Sequence, residues 1–66
     1  MLTKEEAWRA RTKLAAALAL IVEARIIYAD AGYVPGIRGL NGLSCRVDDE
    51  IAALTKIIAD INASNT

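Results

Sequence analysis

Cys45 is the only thiol in this 66-residue sequence, and histidine is absent altogether. A lone thiol without an imidazole has no base to take its proton, and one chain cannot assemble a disulfide or a Cys/His zinc site from it. Its neighbours suggest one chemistry: with Ser44 capping a second helix, Cys45 would occupy the first helical position beside Arg46, where thiolate is favoured. A small apolar side chain in a core is the plainer expectation for the same residue.

Asp48, Asp49 and Glu50 have the composition of a cation or acid/base site but not its spacing. Successive helical residues fan out by about 100° each, so three adjacent carboxylates cannot converge on one ion; near a helix start they complement the dipole instead. Arg11, Arg25 and Tyr28 share one helical face, with Glu23 and Asp30 nearby. They would serve a ligand or a reaction only if a second copy closed the site. With the commonest general base missing, the chain is expected not to be an enzyme and to need no cofactor or metal.

Gly32 to Leu43, G-Y-V-P-G-I-R-G-L-N-G-L, has the most unusual spacing: Gly36, Gly39 and Gly42 are each followed by an aliphatic residue, Ile37, Leu40 and Leu43. Read as a crossover over 32–43, it exceeds the two to eight residues that usually join antiparallel helices. Two roles fit. The aliphatics and Tyr33 could cap a helical bundle, or Tyr33, Ile37, Arg38 and Leu40 could present a partner-binding loop. With Arg38 at its tip and glycine amides free, the Gly36 to Gly42 loop could instead hold a small anion or nucleic acid, helped by Arg9, Arg11 and Lys13. Pro35-Gly36-Ile37 after Val34 resembles the turn of the helix-hairpin-helix DNA-binding motif over about five residues, which implies amide contacts to phosphate. Arg38 stands where that motif has its second glycine. No nucleoside-triphosphate loop and no dinucleotide fingerprint is present.

Two helices flank this segment. Thr3 followed by Glu6 is a capping box, and no proline or glycine interrupts the chain from there to Gly32, which predicts a helix over about 3–31. Within it, Leu14 to Val22 carries no polar side chain, so the helix is apolar on every side there. One seam runs Ala7, Arg11, Leu14, Leu18, Ile21, Arg25, Tyr28; a second runs Trp8, Thr12, Ala15, Ala19, Val22, Ile26, Ala29. The second helix, about 44–63, is cleaner, with Val47, Ile51, Leu54, Ile58 and Ile61 on steps of four and three. The polar tail from Asn62 to Thr66 is expected to fray.

Composition agrees with association. A chain this short builds a marginal core unless disulfides, metal or oligomerisation help, and the first two are excluded here. Eight basic and eight acidic residues cancel, so no global field recruits nucleic acid or an anionic membrane. The apolar run is about half the length of a membrane span and is closed by Glu23 and Arg25, so no span is expected. The expectation is an all-α helical hairpin that self-associates, most simply as a dimeric four-helix bundle. Leu14, Leu18, Ile21, Val22, Ile26, Val47, Ile51, Leu54, Ile58 and Ile61 would lie at the interface. The lone cysteine suits the cytoplasm. The function expected is non-enzymatic: an interaction module that binds itself and another protein in a regulatory, inhibitory or assembly role, as an accessory protein of a phage or mobile element would.

Overall fold

The computed structural model describes residues 1–64 as two helices, α1 (Lys4–Ala31) and α2 (Val34–Ser64), packed against each other in a rod of 51 × 17 × 15 Å. Thr3 starts α1 as expected. Its hydroxyl accepts from the Glu6 amide at 3.1 Å, and its own amide donates to the Glu6 carboxylate at 2.9 Å, so two of the donors that a helix start leaves unpaired are satisfied. Hydrogen bonding to the carboxylate from the Thr3 backbone amide, and after it from the Thr3 side chain, holds the Glu6 carboxyl below its ordinary value of 4.5. A depressed carboxyl stabilises the fold above its unfolded value and loses that contribution as pH falls through the folded one. The melting temperature should therefore drop on acidification between about pH 5 and 3, less steeply in Glu6→Gln, which keeps the hydrogen bond without titrating. Thr3→Ala should cost about 1 kcal/mol in the same melts.

Gly32 stops α1. With φ +69° it takes the left-handed conformation that side-chain-bearing residues avoid. Its amide donates to the Ala29 carbonyl at 3.1 Å, and the Tyr33 amide donates to the Tyr28 carbonyl at 2.9 Å, the paired bonds of a Schellman ending. The apolar contact that accompanies such an ending is present too, as the Tyr28 and Tyr33 rings pack with centroids 5.4 Å apart.

The crossover expected over 32–43 is not a loop. The turn comprises Gly32 and Tyr33 alone, and α2 begins at Val34. Pro35 falls in its first turn, where a missing amide hydrogen costs nothing and the fixed φ suits a helix. Gly36, Gly39 and Gly42 all lie inside α2 with negative φ. Each glycine weakens a helix by roughly 1 kcal/mol relative to alanine, which packing of the intervening Ile37 and Leu40 offsets. Ser44 is consequently no cap, Cys45 no first-turn residue, and Asp48, Asp49 and Glu50 lie well inside α2. At the far end α2 continues through Ser64, whose hydroxyl donates to the Asp60 carbonyl at 3.0 Å, so Asn62 to Ser64 are helical; Asn65 and Thr66 lie outside the described residues.

The seam between the helices runs their whole length on steps of three and four. On α1 it comprises Ala7, Ala10, Leu14, Ala17, Ile21, Ala24 and Tyr28; on α2 it comprises Ile37, Leu40, Ser44, Val47, Ile51, Leu54, Ile58 and Ile61, all buried or half-buried. This is coiled-coil spacing. Ala7, Leu54 and Ile58 form the buried cluster, with Ala10, Leu14 and Ile57 packed on it. The α1 seam differs from the one expected in using Ala10, Ala17 and Ala24 where Arg11, Leu18 and Arg25 were expected. Alanine every seventh residue lets two helices approach closely and leaves both arginines at the edge, where their heads stay in water.

Candidate interaction surface

Residues expected to act together are dispersed by this fold. Tyr33 forms the turn, Ile37 and Leu40 are half-buried against α1, and Arg38 is exposed on α2, so no common loop surface exists. Gly39 and Gly42 sit inside a helix, where amides donate to carbonyls one turn back, so the amide cradle for an anion is not formed there. Arg11 donates to the Thr55 hydroxyl at 2.9 Å, with its guanidinium 5.4 Å from the Trp8 ring centroid, while Arg25, exposed, lies 14 residues and about 21 Å further along α1. Tyr28 packs on Tyr33. Those three side chains do not converge. Cys45 is exposed rather than buried. Among the described residues, no group of acidic or cysteine side chains is placed to hold a metal ion.

Of the residues expected between copies, all but Val22 and Ile26 are buried or half-buried within the single chain. All of these but Leu18, which lies at the edge of the contact, belong to the hairpin's own seam. What remains open is the far side of α1, where Trp8, Val22 and Ile26 are 46%, 48% and 55% exposed and lie in line with exposed Thr12, Ala15, Ala19 and Ala29. These are the steps of four and three of the second seam, about 150° round α1 from α2. A depression of about 220 Å³ lined by Trp8, Arg9, Thr12 and Lys13 opens at one end of this face.

A second apolar area lies along the other edge of the hairpin, where Leu20 and Ile27 of α1 and Leu43 of α2 are exposed. The register set by Tyr28 against Gly36 and by Arg11 against Thr55 brings Leu20 opposite Leu43. This edge is broken by charge, because Glu6 and Lys13 continue the line on α1 and Glu50 continues it on α2. Sequence reasoning had no signal for the edge, since it exists only once the α2 register is known. Among the described residues, no helix is long and apolar enough to cross a membrane. Comparison with known protein families, curated proteins and solved structures finds no match.

Proposed function

We propose that this chain is a small, non-enzymatic interaction module that works as a homo-oligomer, with the far side of α1 as its working surface. The observation that carries this reading is the unmatched second seam: a helix apolar on both sides has one side covered by α2 and the other side open. α2 differs, with an apolar stripe toward α1 and Arg38, Arg46, Asp48, Asp49, Lys56 and Asp60 exposed. Such a pair of helices suits an assembly with α1 inside and α2 outside. A dimer of four helices is the simplest form, and the polar outer surface of α2 remains available to a further protein in a regulatory, inhibitory or assembly role. The exposed thiol of Cys45 suits a reducing, cytoplasmic setting.

Light scattering tests the reading. At micromolar concentration the wild-type mass is expected to be at least twice the 7.1 kDa of one chain. Val22→Asp places a charge on the open seam and should reduce the mass to one chain, whereas Leu20→Asp on the hairpin edge should leave it unchanged. A folded wild-type monomer with a cooperative melt would overturn the proposal. Dissociation by Leu20→Asp but not by Val22→Asp would move the working surface to the edge.

A further inference from the structure

We infer that two copies meet through the far side of α1 in antiparallel orientation, with Arg9 of each opposite Glu23 of the other. The inference rests on the self-association proposed above and adds its geometry. When two antiparallel α1 helices overlap over their whole length, seam residues of one fall between those of the other. Trp8 then faces Ile26 of the partner subunit, Thr12 faces Val22 of the partner subunit, and Ala15 faces Ala19 of the partner subunit. Large side chains meet at both ends, beside the depression at Trp8, and alanines meet at the centre, where the backbones come closest.

Charge selects this orientation. Arg9, Ala16, Glu23 and Asp30 form one border of the open seam, and Lys4, Arg11, Leu18 and Arg25 form the other. In an antiparallel pair each border faces its own counterpart, so Arg9 meets Glu23 of the partner subunit twice by symmetry. On the second border Leu18 faces Leu18 of the partner subunit, and Arg11 comes near Arg25 of the partner subunit. The repulsion there is blunted, because Arg11 turns back to Thr55 at 2.9 Å and lies over its own Trp8. A parallel pair does worse. It brings Arg25 to Asp30 of the partner subunit, but it also brings Lys4 to Arg9 of the partner subunit, leaves Glu23 facing Leu18 of the partner subunit, and sets Glu5, at a seam position, against Glu5 of the partner subunit. Parallel helices also align their dipoles, which antiparallel helices oppose. The four helices of the dimer then lie side by side, two α1 in the middle and one α2 on each outer side.

The test is a charge exchange at Arg9 and Glu23, both exposed, read as the dimer dissociation constant by sedimentation with helicity followed by circular dichroism. Arg9→Glu and Glu23→Arg alone should each weaken the homodimer about tenfold, since two attractive pairs become repulsive. An equimolar mixture of the two variants should form a mixed dimer in preference to either homodimer, because both cross pairs become attractive again, and the double variant should recover wild-type association. Arg9→Glu dimerising as tightly as wild type, or tighter, would overturn the antiparallel geometry, since in a parallel pair it would gain Lys4 of the partner subunit. In that case the self-association itself stands. A wild-type chain that stays monomeric would overturn both.

Discussion

Leu54→Ala should lower the stability of the protein by about 2 to 5 kcal/mol, a large share of the roughly 5 to 15 kcal/mol that holds a domain together. Leu54 and Ile58 are the buried large residues among those described, and both pack on Ala7, which is fully enclosed near the start of α1. Truncating Leu54 leaves a cavity that a small alanine opposite cannot fill. Neighbouring Leu14 and Ile57 are held by the same seam and can relax only in part. Urea denaturation of wild type and variant at two protein concentrations measures the effect. Wild type should show a midpoint that rises with concentration, as expected when folding and association are linked, and Leu54→Ala should lose most of its helicity at the lower concentration. A loss below about 1 kcal/mol would mean that the helices do not pack through this cluster.

The contrast between α1 and α2 explains what was readable from the residues. Thr3, Glu6 and Gly32 carry local signals: a cap needs an oxygen three residues from an amide, and a left-handed stop needs glycine, so both ends of α1 followed from residue type. The lower half of α2 was equally clear, because Val47, Ile51, Leu54, Ile58 and Ile61 stand against a polar background. α1 offers no such background. From Leu14 to Val22 every step of three or four lands on an apolar residue, so periodicity alone cannot say whether Ala17 or Leu18 faces the partner. Leucine looks like the better core residue in isolation. The close approach of a long hairpin favours alanine, a property of two helices together that neither displays alone. The open surface shares that origin: Trp8, Val22 and Ile26 were visible as a second seam, but which seam α2 would cover depended on the choice between Ala17 and Leu18.

The glycines of α2 give the sharpest separation between a helix and a loop over residues 34–43. A Cβ built at Gly39 or at Gly42 meets nothing within 4 Å, and neither residue has a positive φ, so alanine fits both positions without strain. Gly39→Ala and Gly42→Ala should each raise stability by about 0.5 to 1 kcal/mol, by removing freedom from the unfolded chain and strengthening α2. Together they should raise the melting temperature by roughly 4 to 16 °C, at about 4 to 8 °C per kcal/mol for a domain of this size. Gly36→Ala should go the other way. Its Cβ would lie 2.6 Å from Tyr33 Cδ2 and 2.7 Å from Tyr28 Cδ2, so the two rings that close the hairpin would have to separate, at about 1 to 3 kcal/mol. Opposite signs at positions three residues apart require the local geometry of a helix laid against one aromatic pair. In a flexible binding loop the three substitutions would have similar, small effects on the melt and would act instead on partner affinity. Thermal melts of the three single variants and the Gly39→Ala/Gly42→Ala double variant decide between these, and a destabilising Gly39→Ala would mean that α2 begins only beyond the glycines.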